Sequence, residues 1–131
     1  MIKLKICTNN PLVEAKYPEI ACVYDSGPEG VLIAARDMIH NGAKLISHPL
    51  SGGVLPGFCP YKSLVVSNNG ETDGNNIDFA SLGLIEESIR VLVEAPKGFP
   101  GYDENTLEDF RVLDLDMIQS ALASLGYCPS D

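Results

Sequence analysis

The chain has 131 residues, 45% of them hydrophobic and 21% charged, and its 18 acidic against 9 basic side chains leave a formal net charge of −9. That length supports one domain with a real core, and no apolar run is long enough to span a bilayer. The excess of acid excludes nucleic-acid binding, which depends on clustered Lys and Arg, and argues against anionic membrane surfaces.

The N-terminus enters alternating structure directly, without the apolar stretch and cleavage site of a signal peptide, which places the protein in the cytoplasm. Cys7, Cys22, Cys59 and Cys128 form no CxxC pair. Disulfides are rare in that compartment, and the histidines and scattered cysteines lack zinc spacing. Neither a metal nor a cofactor is expected. Cys7 and Cys22 sit in strand-like runs and read as small buried apolar side chains.

In chain order, Ile2 to Thr8 reads as a strand, because Ile2, Leu4 and Ile6 alternate with Lys3 and Lys5. The lysines mark either an edge position or a solvated end. Asn10 is a good N-cap and Pro11 a good first residue for a short helix through Lys16. Ile20 to Tyr24 is a second strand. Ser26 and Glu29 have capping-box spacing, and the helix from Pro28 carries Val31, Leu32, Ala35, Met38 and Ile39 on one face until Asn41 and Gly42 end it.

Lys44 to Ser47 is a third strand and Ser63 to Ser67 a fourth, whose apolar run suits an interior position. Asn68 to Asn76 is a polar, turn-rich segment. Asp78 caps a helix to about Ala95, with Leu82, Ile85, Ile89, Leu92 and Val93 as its buried stripe. The tail reads as two helices, one from near Asn105 and one from about Asp114 to Leu125, with Met117, Ile118, Ala121, Leu122 and Leu125 facing inward. From Tyr102 onward seven Asp or Glu accompany only Arg111. This acidity reads first as solubility and second as a docking face for a basic partner.

This order predicts a single α/β domain over residues 1–131. It is a small three-layer sandwich: a mostly parallel four-stranded sheet, Rossmann-like, with helices on both faces. The link from the third strand to the fourth carries no helix, so the fourth strand is either antiparallel, through a long hairpin, or parallel, through an extended crossover.

In open α/β sheets ligands bind beyond the carboxyl ends of the strands. Two polar loops meet that requirement: Thr8, Asn9, Asn10 and Pro11 after the first strand, and His48 to Gly53 after the third. An antiparallel fourth strand returns Tyr61, Lys62 and Ser63 to the same edge; a parallel one brings Asn68 and Asn69. Asparagine amides donate and accept, and free backbone N–H groups around Ser51, Gly52 and Gly53 can hold an anion. Lys62 can neutralise a small carboxylate or phosphate, and His48 can act as acid or base near neutral pH. Each also has a plainer role: Asn10 as a cap, His48 as a loop hydrogen-bonder, Ser51 to Gly53 as a tight turn, Lys62 as a solvated strand end. Cys59 shares the loop with His48, the raw material of a thiol nucleophile. No dinucleotide, P-loop or GxSxG motif is present.

The runs TNNPLV (Thr8 to Val13), RDMIHNG (Arg36 to Gly42) and above all HPLSGG with PYKS (His48 to Gly53, Pro60 to Ser63) resemble the GrdX family. Its members are small proteins encoded beside the components of glycine reductase, a selenium-dependent system of amino-acid-fermenting anaerobes. The family has no established activity, so the resemblance implies an accessory role and transfers no catalytic residue. Three functions compete: binding of a small anionic metabolite or a reductase component at the edge formed by the 8–11 and 48–63 loops, catalysis with His48 as acid/base, and protein contact through the acidic C-terminal helix.

Overall fold

A computed structural model describes residues 3–50, 55–68 and 77–127. The predicted turn at Ser51, Gly52 and Gly53, the polar segment 69–76 and Cys128 lie outside the described residues. Along the chain run β1 (Lys3–Thr8), α1 (Pro11–Lys16), β2 (Ala21–Val23), α2 (Pro28–His40), β3 (Lys44–Leu45), β4 (Ser63–Asn68), α3 (Phe79–Glu94) and α4 (Glu104–Ser124).

The strands form one open sheet in the order β2-β1-β4-β3. β1 pairs with β2 in parallel, while β4 runs antiparallel to both β1 and β3. The expectation of a mostly parallel sheet is therefore corrected: the sheet is mixed, with one parallel pairing and two antiparallel ones. The physical reason is the connection. A parallel crossover is usually built on a helix; among the described residues between β3 and β4 there is none, and β4 returns as the antiparallel partner. Of the two readings of the Lys3 and Lys5 pattern, the interior place of β1 leaves only the solvated end.

The sheet has two apolar faces set by the period of two. Cys7, Leu64 and Val66 point to one face, where Val31, Leu32, Ala35 and Ile39 of α2 and Ile85 and Leu92 of α3 cover them. Ile6 and Val65 point to the other, against Val13 and Tyr17 and against Ile118 and Leu122 of α4. Two expected core positions are corrected: Val93 is 56% exposed and Leu125 46% exposed. Val93 falls next to Leu92 and so off the stripe; Leu125 follows the last helical turn.

Helix starts follow side-chain chemistry. Asn10 Oδ1 accepts from Leu12 N at 3.0 Å, Asp78 Oδ2 from Ser81 N at 3.1 Å and Asp103 Oδ1 from Thr106 N at 2.9 Å. The capping box expected at Ser26 does not form: Gly27 is the N-cap without a side-chain bond, and Ser26 Oγ donates to Gly27 O instead. Gly42 takes φ 103° after α2, a left-handed turn that favours glycine. The tail is one helix rather than two, because Asp114, placed as a second start, lies buried in the middle of α4.

Candidate functional site

Pairing of Thr8 with Ser63 puts the end of β1 and the start of β4 side by side. The loop after β1, the excursion after β3 and the residues leading into β4 therefore share one sheet edge. Chain order also reverses here: α1 carries the chain from β1 to β2 on one side, and α2 carries it back past β1 to β3. Such a switch point opens a crevice.

A buried chain of hydrogen bonds closes the floor of that crevice. Asn10 N donates to Thr8 Oγ1 at 3.0 Å, Thr8 Oγ1 and Ser63 Oγ lie 2.6 Å apart, and Ser63 Oγ donates to Asp114 Oδ2 at 2.7 Å. Ser63 spends its one proton on the carboxylate, so Thr8 must give its proton to Ser63. Asn10 Nδ2 reaches the same Asp114 oxygen at 3.0 Å and Arg111 O at 2.9 Å. Thr8 and Asn10 are fully buried and Asp114 is 8% exposed. A run of aligned donors ending on a carboxylate in a low-dielectric interior polarises along its length, and it ties β1, β4, α1 and α4 together at one point.

Asn9 holds the other wall. Its Nδ2 donates to Ser26 O at 2.8 Å and Pro60 O at 2.9 Å, and its Oδ1 accepts from Lys62 N at 2.8 Å. The loop before β4 is pinned further by Gly98 N to Gly57 O at 2.9 Å and by Tyr102 Oη to Phe58 O at 2.9 Å. At Gly57 φ is 91° and a side chain would run into the Pro96 carbonyl.

Between these walls lies a cavity of roughly 60 Å³. His48, Cys59, Tyr61, Lys62, Ser63 and Asp114 give it polar atoms, and its apolar lining includes Leu50, Leu92, Leu113, Met117, Ile118 and Ala121. Burial pulls the Lys62 ammonium below the usual lysine range, and nearby Asp114 and Cys59 only partly offset this. Among the described residues no carboxylate lies within ion-pair distance of Lys62. Burial likewise pushes the Cys59 thiol up, with Asp114 adding to the effect against the Tyr61 carbonyl contact and Lys62. A thiol held in that form is a poor nucleophile. His48 is exposed at the rim, and its Nδ1 accepts from Leu50 N at 3.1 Å, so the neutral ring carries its proton on Nε2. Tyr61 is held by Arg111, whose Nη1 donates to its hydroxyl at 2.7 Å while the guanidinium carbon sits 5.5 Å from the ring centroid. Arg111 is fixed in turn by Glu104 and Glu108.

The structure thus brings His48, Tyr61, Lys62 and Ser63 to one cavity. Thr8, Asn9 and Asn10 reach the same edge, but neither asparagine lines the cavity, and the side-chain amides of both are engaged by the protein itself. Among the described residues, no group of three or more His, Cys, Asp or Glu side chains is placed to hold a metal ion, and no helix is long and apolar enough to cross a membrane.

Sequence reasoning missed Asp114 and Arg111. The signal was present in the spacing. Asp114, Ile118 and Leu122 recur every four residues, so a carboxylate occupies an otherwise apolar stripe, and a buried acid needs partners.

No curated protein and no solved structure matches the chain. The family model for GrdX-like proteins matches residues 5–123, a span that takes in both walls of the crevice and the carboxylate beneath it, and the chain belongs to that family.

Proposed function

We propose that this GrdX-like protein is an accessory binding protein of the glycine reductase system, working in the cytoplasm, and that it holds a small anionic metabolite at the edge between the 8–11 and 48–63 loops. The observation that carries this reading is Lys62: an ammonium drawn into a small cavity, below its usual pKa range, with no ion-pair partner among the described residues. A charge kept in such a place costs stability, and an anion entering the cavity offsets that cost. The acidic tail supports the docking alternative less well. Glu104 and Glu108 are taken up by Arg111, Asp103 caps α4, and Asp114 is buried.

Melting curves in the presence of small carboxylates and phosphates test the proposal. A ligand at a hundredfold its Kd stabilises the folded chain by about 2.7 kcal/mol, and Lys62→Gln should abolish the effect. If no anion shifts the wild-type melting temperature, and no reductase component is retained by the immobilised chain, the reading is without support.

A second reading, catalysis, draws on the shared lining of His48 and Lys62. His48 would act as acid/base, with Lys62 stabilising developing negative charge. Equal consumption of a bound acid by wild-type and His48→Ala chains, followed by NMR, would end it.

A further inference from the structure

We propose that the cavity takes a short aliphatic monocarboxylate, between acetate and butanoate in size, with its carboxylate on Lys62 and its alkyl end among Leu92, Met117, Ile118 and Ala121. The inference rests on the reading of this cavity as an anion site and names the class of anion.

Size sets the first limit. A cavity of roughly 60 Å³ has room for about four to six water-sized groups, which matches the non-hydrogen atoms of these acids. Charge sets the second. Lys62 is the only Lys or Arg among the described lining residues, and Asp114 lines the same cavity. A monoanion meets one ammonium and one carboxylate; a dianion meets the same pair and is repelled by Asp114 without a second cation to compensate. The supply of donors sets the third. The Ser63 proton goes to Asp114, and the Thr8 proton goes to Ser63. The amides of Asn9 and Asn10 are also spent inside the protein. A dehydrated phosphate or sulfate needs several donors in place of its water, and among the described residues the Ser63 hydroxyl and both asparagine amides are already committed. The apolar residues of α3 and α4 then cover the alkyl end.

Isothermal titration of the full chain, in a buffer free of carboxylates, tests this with acetate, propanoate, butanoate, phosphate, sulfate and alanine. Affinity should rise about fourfold for each methylene buried, with phosphate, sulfate and alanine weaker than propanoate. Lys62→Met should weaken binding of the carboxylates by about tenfold or more. Because it removes a charge from a desolvated site, that variant should melt no lower than wild type. Should it nevertheless fail to fold, Ala121→Leu carries the test: it narrows the apolar end and should weaken butanoate more than acetate. Phosphate or sulfate binding as tightly as propanoate overturns the proposed class while leaving an anion site. Alanine binding more tightly than propanoate overturns it in favour of a zwitterion, with Asp114 taking the ammonium. An affinity independent of chain length, or untouched by Ala121→Leu, removes the alkyl subsite. Failure of every anion to bind ends this proposal and the broader anion-site reading together.

Discussion

Asp114 is the residue on which the site's geometry turns. Its Oδ2 receives protons from Asn10 and Ser63, so truncation leaves two donors without an acceptor beside the sheet. Asp114→Ala should lower stability by about 2–4 kcal/mol, and Asp114→Asn, which retains an acceptor oxygen, by clearly less; urea midpoints read both. Lys62 behaves in the opposite way. Burial lowers its folded pKa from 10.5, so the folded chain releases this proton at a lower pH than the unfolded chain. Its contribution to stability therefore rises with pH through the interval between the two values. Lys62→Met should lack that rise in urea titrations from neutral pH upward. Cys7 and Tyr24 set the alkaline limit. Burial is the leading cause that pushes each up to about 12, from 9.0 for the thiol and 10.0 for the phenol. Their neutral forms favour folding, fully so below those unfolded values, and the contribution is lost as the pH climbs toward 12. Far-ultraviolet circular dichroism should show unfolding in that window, with Cys7→Ala reducing the thiol's share.

At the scale of elements, the loops were easier to place than to interpret. Asn10 before Pro11 reads as a cap, and the cap forms. The sequence could not show that the same amide also reaches across to α4, a partner 104 positions away. Asn9 was read as ligand-binding; its amide clamps Pro60 and Lys62, because backbone groups in a part-buried loop must find partners. Helix α4 was read as two pieces because Asp114 looks like a start signal. Its carboxylate is satisfied sideways by Asn10 and Ser63, so the helix continues through it. The loop after β3 depends on Gly57, whose φ of 91° disfavours any side chain and where a Cβ would run into the Pro96 carbonyl. Gly57→Ala should cost about 2 kcal/mol or more and should weaken ligand binding with it, as the lower wall of the cavity is displaced. Thermal melting and titration on the same samples separate the two effects.

Across the whole molecule, the two long strands lie inside and the two short ones outside. β1 and β4 each have six residues, β2 three and β3 two. Short edges offer little for another chain to pair with, and they place the most protected backbone at the centre. Hydrogen exchange should be slowest in β1 and β4 and faster in β2 and β3. The sequence by itself determined the kind and order of the elements up to the tail, the apolar faces of α2 and most of α3, the interior place of β4 and the family. Periodicity, caps and turn residues are local signals, and they survive folding unchanged. Only the tertiary structure decided that β4 runs antiparallel, that β1 is central, that the asparagines are spent inside the protein, and that Asp114 sits beneath Ser63 in the cavity wall. Those outcomes depend on which distant groups meet when two faces of a sheet are covered at once, and no window of neighbouring residues carries that information.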